Sequence, residues 1–289
     1  MIAVRAAARL RVNKNEPLLP VAPQAAQAEL KPLLLRMDRL CGLSVVVVEK
    51  LLAEHSSLRQ DFSVADVGIV VGTAYGCHKT DEEYYVSYLQ GQPSPRLFAY
   101  TLPSAPSGEL AIRHRLRGAG FTLSLGRTSG MNAVAEAARL LSSGHVSACL
   151  VVAVEVADPA FAQEEVGDAA VALWLSKIDD QPADGSPQIV TTMEVFVDGA
   201  PAKAVEQVLA RTKPSPGVWC CDETTWALSK EAWILRQFST VNAPGGAASG
   251  LWCLCEQHQE AAESRGYLCA DSTGYAALVV LSPGRLQVT

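Results

Sequence analysis

The side chains able to do chemistry in this chain are sparse, and their spacing excludes more than it offers. Eight cysteines are scattered along 289 residues: Cys41, Cys77, Cys149, Cys220, Cys221, Cys253, Cys255 and Cys269. None forms a C-x-x-C pair, and several sit in apolar runs such as Ala148-Cys149-Leu150-Val151, so they read as buried free thiols. The five histidines are dispersed, and nothing has the spacing of a zinc site. The sharpest local feature is a turn, Gly126-Arg127-Thr128-Ser129-Gly130, between an apolar run and an Ala-rich stretch. A nucleophile at such a helix start would be favoured by the helix dipole and the free backbone N–H groups. Arg127 cannot serve, because its guanidinium stays protonated. Thr128 and Ser129 carry hydroxyls there but have no histidine nearby to act as base.

The elements that would hold this turn follow from periodicity. Residues 35–55 have apolar side chains at helical spacing; residues 66–72 form a short β-branched run closed by glycine. Residues 77–100 are polar, aromatic and Pro-punctuated, reading as helix and loop near a surface, and 107–116 read as helix. Residues 121–125 predict a strand, and a helix over 131–143 is stopped by Gly144. Residues 148–156 and 169–175 predict buried strands, and 177–187 have the composition of a linker. Beyond it the order recurs: strand 189–197, helix 201–211, strand 217–221, helix 226–238, a helix opened by the glycine-rich 245–250, and a closing pair of strands. Gly167-Asp168-Ala169-Ala170-Val171-Ala172-Leu173 closes the first half much as Gly274-Tyr275-Ala276-Ala277-Leu278-Val279-Val280 closes the second. The economical reading is a duplicated α/β unit, with halves at 1–178 and 188–289.

Composition is that of an ordinary globular chain, 49% apolar with a formal net charge of −6. No basic stripe marks a nucleic-acid partner, and no apolar run is long enough to span a bilayer. The Arg-rich start, Met1 to Arg9, reads either as a transit segment or as a first strand. A cytoplasmic protein without cofactor or metal is expected.

Several segments together resemble the β-ketoacyl synthases of the thiolase superfamily. Val71-Gly72-Thr73-Ala74-Tyr75-Gly76 is similar to that family's strand-end glycine motif. Val151-Val152-Ala153-Val154-Glu155 resembles its Gly-Gly-x-Glu strand, and Gly167-Asp168-Ala169-Ala170 its Gly-Glu-Gly-Ala-Ala. Leu125-Gly126-Arg127-Thr128-Ser129-Gly130 stands where the family has Thr-Ala-Cys-x-Ser-Gly, which places Arg127 at the catalytic cysteine. The His-x-x-Gly-Ala-Ala-Gly motif corresponds to residues 243–250, with Ala243 at the histidine. The His-Gly-Thr-x-Thr motif maps most nearly onto Cys220-Cys221-Asp222-Glu223-Thr224-Thr225, which has no histidine, and the last loop is cut to Asp271-Ser272-Thr273-Gly274-Tyr275.

The resemblance implies a thiolase fold, a duplicated α-β-α-β-α five-layer arrangement with a shortened second half. It also implies a role like that of the short chain-length factors of type II polyketide or aryl-polyene synthases. Such a subunit has no catalytic residue of its own, pairs with an active ketosynthase, meets acyl carrier protein through the complex, and shapes the acyl tunnel. Glutamine is common at the cysteine position of such factors, and Arg127 departs from it. Thr122, Leu123, Ser124 and Leu125 are then expected at a sheet edge, pairing with the partner. The aromatics of 80–100 either join that interface or pack the chain's own layers. Arg127 either plugs the vestigial pocket, paired with an acid such as Glu155 or Glu223, or binds a phosphate or carboxylate. A different class stays open: an active acyltransferase or decarboxylase using Thr128, Ser129, Cys77, Cys220 or Cys221. So does a homodimeric scaffold.

Overall fold

The computed structural model describes residues 1–14, 16–61, 66–158, 160, 168–178, 185–212, 218–229, 238–241, 243, 246–259, 261–286 and 288. Among the described residues, ten strands make two sheets. The first holds β1 (Ile2–Val12), β2 (Val67–Gly72), β3 (Gly120–Leu123), β4 (Ala148–Glu155) and β5 (Asp168–Lys177). The second holds β6 (Ile189–Phe196), β7 (Val218–Asp222), β8 (Phe238–Val241), β9 (Arg265–Ala270) and β10 (Tyr275–Leu281). The helices are α1 (Gln24–Leu34), α2 (Arg39–Glu54), α3 (Leu58–Asp61), α4 (His78–Leu89), α5 (Pro95–Phe98), α6 (Ala105–His114) and α7 (Ser129–Ser142), then α8 (Pro201–Arg211), α9 (Glu223–Ser229) and α10 (Ala248–Gln257).

The duplication is a matter of topology. The first sheet runs β1-β5-β4-β2-β3 and the second β6-β10-β9-β7-β8, the same order with each strand advanced by five. Directions repeat too. β5 is antiparallel to both β1 and β4, while β2 is parallel to β4 and β3. β10 is antiparallel to both β6 and β9, while β7 is parallel to β9 and β8.

The strands alternate, and that alternation builds the layers. On β4, Leu150, Val152 and Val154 face an outer core with Leu30 of α1, Leu43 of α2 and Leu110 of α6. Cys149, Val151 and Ala153 face the opposite way, into a central core shared with Met131 and Val134 of α7 and Leu251 and Leu254 of α10. That central layer is closed from the far side by Tyr267, Cys269, Ala277 and Val279 of the second sheet. The remaining faces of β9 and β10, through Leu268, Leu278 and Val280, meet Val205 and Val208 of α8 in a third core. The sequence is therefore helix, sheet, helix, sheet, helix: the five layers of a thiolase fold. Runs buried on both faces, such as Ala148–Glu155, are the strands in the middle of each sheet. The second half is abbreviated at one place above all. Residues 73–119 carry α4, α5 and α6 between β2 and β3, whereas 223–237 separate β7 from β8.

Most expected elements appear within a few residues, and α8 at its expected bounds. The Arg-rich start is a strand, β1, with Arg5, Arg9 and Arg11 at its less buried positions. Two expectations are corrected. The helix placed over 226–238 is α9 at Glu223–Ser229; Phe238 begins strand β8, and residues 230–237 lie outside the described residues. The strand placed over 121–125 ends at Leu123, so Ser124 and Leu125 leave the sheet. Gly167 and residues 179–184 of the expected linker also lie outside the described residues.

Candidate functional site

The loops after the C-terminal ends of β2, β3, β4, β7 and β9 converge between the two sheets, the side on which open α/β sheets place their sites. Arg127 sits there, two residues before the start of α7, at 4% exposure. Its Nη2 donates to Oδ2 of Asp222 at 2.7 Å and to Oγ of Ser249 at 3.3 Å. Asp222 ends β7, and its second oxygen accepts the Thr225 N–H at 2.6 Å. A cation at the positive end of a helix is unfavourable by itself, and the Asp222 carboxylate offsets that. This corrects the expected pairing: Arg127 is bonded to Asp222, not to Glu155, and the Glu223 side chain lies outside the described residues.

Glu155 has another task. At the end of β4 it accepts from the N–H groups of Ala74 (2.6 Å), Ala247 (3.2 Å) and Tyr75 (3.4 Å) and from the Thr73 hydroxyl (3.3 Å). It thereby ties the loop after β2 to the turn that opens α10. Burial pushes its carboxyl up to about 7; the four donors favour the charged form and offset only part of that.

The turn is built to bring the halves close. Gly126 adopts φ +61°, and a side chain there would meet Oδ2 of Asp271 at 2.6 Å. At Gly130 a Cβ would stand 2.3 Å from the Ala247 carbonyl, so only glycine lets the starts of α7 and α10 touch. Asp271 is itself held by the Thr273 N–H (3.0 Å), the Thr273 hydroxyl (2.6 Å) and the Tyr275 N–H (3.2 Å).

The other nucleophile candidates are occupied. The Thr128 hydroxyl donates to the Leu125 carbonyl at 2.9 Å. The Ser129 hydroxyl donates to the Gly126 carbonyl at 2.6 Å and accepts the Leu125 N–H at 2.7 Å; both residues are fully buried. Burial raises the thiols of Cys77 and Cys220 to about 12, and that of Cys221 further still, opposite to what a reactive thiolate needs. Ala243 is half-buried. Of the residues expected at an interface, Thr122 and Leu123 lie on β3, the last strand of the first sheet, and Leu125 is half-buried beyond it. Ser124 is exposed and donates to the Ala74 carbonyl at 3.2 Å. Among the described residues no group of three or more His, Cys, Asp or Glu could hold a metal, and no helix is long and apolar enough to cross a membrane.

Asp222 and Ser249 were not singled out from the sequence. The available signal was an acid closing the apolar run Val218–Cys221, within the segment that maps onto a histidine motif.

Comparisons with known proteins agree with this geometry. The profile of the family "Beta-ketoacyl synthase, N-terminal domain" matches residues 23–172, more than half of the chain. The 3-oxoacyl-[acyl-carrier-protein] synthase 2 of Synechocystis is 25% identical over 118 residues, 40% of this chain but 28% of that protein. The chain thus matches well under a third of that relative's length. Among solved structures, the ishigamide ketosynthase/chain length factor superposes with a TM-score of 0.73 at 17% identity, covering 98% of this chain and 99% of the other. A chain from the complex of a type II polyketide synthase acyl-carrier protein with its ketosynthase gives 0.74 at 15% identity, covering 98% and 99%. A β-ketoacyl synthase from Burkholderia phymatum gives 0.69 at 13%, covering 86% and 83%. At these identities the likeness to solved structures is one of fold, while the family profile fixes membership: this chain belongs to the β-ketoacyl synthase family.

Proposed function

We propose that this chain is a non-catalytic, chain-length-factor-like subunit that pairs with an active β-ketoacyl synthase and shapes the acyl tunnel in type II polyketide or aryl-polyene biosynthesis. The observation that carries this reading is the Arg127–Asp222 ion pair. Arg127 stands in the turn that resembles the family's nucleophile turn, and Asp222 comes from the segment that resembles its His-Gly-Thr-x-Thr motif. A buried, neutralised pair joining these two places leaves neither a nucleophile nor a base there. Ala243, at the other histidine position, cannot transfer a proton. The two ketosynthase-like halves, 1–178 and 188–289, retain the scaffold around this site.

The surface supports pairing. β3 has β2 on one side and, among the described residues, no strand on the other. An open edge of this kind invites another strand. The segment between β2 and β3 exposes Tyr85, Tyr88, Leu89, Phe98 and Leu102, and β3 itself exposes Phe121. Tyr100, by contrast, is buried, so the aromatics of this segment divide between surface and core. Large apolar side chains left exposed in one segment are what an interaction surface there would use. The partner on this reading is an active ketosynthase, with acyl carrier protein reached through the complex, in the cytoplasm.

Co-expression with an intact ketosynthase and purification through a tag on either chain tests the pairing. Recovery of both in equal amounts is expected; recovery of this chain alone, folded and soluble, contradicts it. The alternative of an active acyltransferase or decarboxylase has no observation in its favour, since Thr128, Ser129 and the cysteines are bonded or buried as described.

A further inference from the structure

Away from the turn, on the outer side of the first sheet, two cavities adjoin. One, of about 430 Å³, is walled mainly by Leu18, Leu19, Leu34, Leu35 and Met37, where the 3₁₀ turn at Leu19–Val21 and α1 lean on the start of α2. The other, of about 230 Å³, is lined by Lys14, Arg39, Lys79 and Arg96 beside Asp38, Glu83 and Asp168. They share Met37, Asp38 and Arg39. Together they fall within the roughly 300–1,000 Å³ range of small-molecule sites.

The charges do not cancel. Arg39 is bonded to Asp168 at 2.6 Å, and Lys79 to Glu83 at 3.4 Å. Asp38 caps α2 through the Cys41 N–H at 2.9 Å and accepts the Thr80 hydroxyl at 2.8 Å, so both its oxygens are engaged. Against that one remaining carboxylate stand three cations, Lys14, Lys31 and Arg96. Lys14 lines the polar lobe and Lys31 the apolar one, and among the described residues neither makes a hydrogen bond or ion pair. Arg96 adds a guanidinium that makes one long hydrogen bond among the described residues, 3.4 Å to the Arg36 carbonyl. An apolar trough that opens onto unpaired cations complements a ligand with a hydrocarbon tail and one anionic head.

We infer that this double cavity binds a linear amphiphile with a single carboxylate or phosphate head, its tail along Leu18, Leu34 and Leu35 and its head at Lys14 and Arg96. The cavity is separate from the Arg127 turn and needs no partner subunit. Its occupancy therefore holds or fails in the isolated chain, whatever becomes of the pairing proposed above.

Calorimetric titration of the full chain with decanoate, kept below its micelle concentration, tests this. Saturable binding of one ligand per chain is expected. Decan-1-ol, with the same tail and no charge, should bind about tenfold more weakly. Leu35→Glu, at a side chain 77% exposed, should leave the thermal melting curve unchanged and weaken decanoate by about tenfold or more. Lys14→Glu should weaken decanoate but not decan-1-ol. Absence of saturable binding would overturn the inference, as would equal affinity for the alcohol. Undiminished affinity in Leu35→Glu would also overturn it, because the amphiphile would then sit elsewhere on the chain.

Discussion

At the scale of single residues, the account turns on whether Arg127 and Asp222 act as a structural pair. Both are almost fully buried, at 4% and 3% exposure. Removing one partner of such a pair strands the other charge, which costs about 3–5 kcal/mol, whereas replacing both with apolar residues is close to neutral. Arg127→Ala and Asp222→Ala are each expected to lose stability on that scale in urea denaturation. Arg127→Met with Asp222→Leu is expected to recover most of it; additive losses would show that the two residues are not coupled. Glu155 gives a second test. Its folded pKa of about 7 lies above the ordinary 4.5, so its contribution to stability is complete below about 4.5 and is lost as pH rises through 7. Glu155→Gln removes the titrating group. Its stability relative to wild type should therefore improve as pH rises between those values, and a difference that stays flat with pH would contradict the assignment. His258 runs the other way. Buried against the Tyr267 hydroxyl and the Ser282 carbonyl, it is pushed down to about 4, so its contribution is present above 6.5 and falls away toward 4.

At the scale of elements, β3 is the strand on which the proposed pairing rests. The carbonyls of Ala119 and Leu123 accept from Ile69 and Thr73 on the β2 side. Strand alternation then turns the Thr122 N–H outward, toward the open edge. Thr122→Pro removes that donor without touching the bonds to β2. It is expected to weaken association with a ketosynthase by roughly tenfold, read by biolayer interferometry, while leaving the melting temperature of the isolated chain nearly unchanged. Unchanged affinity would place the interface elsewhere.

This edge also shows how far the sequence could be read. The apolar run preceding Gly126 was legible as a strand, and its position before the turn followed. Its end at Leu123 was not, because Ser124 and Leu125 continue the alternation while their backbone already bends toward α7. β8 was hidden for a similar reason: four residues, Phe238–Val241, give too short a pattern to interrupt a helical reading of what precedes them. The Asp222 partner was hidden by distance, since it lies 95 residues from Arg127 and no local periodicity connects them.

At the scale of the whole molecule, two sheets of identical order enclose one central helical layer, and among the described residues the first sheet keeps an open edge. The duplication was legible because α8, β6 and the closing hairpin repeat a pattern of apolar runs and glycines. How the halves fit was not, because contacts such as Gly130 against Ala247 depend on three-dimensional approach rather than pattern. A scaffold around a neutralised site, with no strand paired to the outer side of β3 among the described residues, is the basis of the proposed subunit role. Native mass spectrometry on this chain co-expressed with an active ketosynthase, after incubation with acyl-loaded carrier protein, tests that claim most directly. The account predicts a heterodimer in which the acyl adduct is carried by the ketosynthase alone. An acyl adduct on this chain, or this chain found only apart from the ketosynthase, would contradict it.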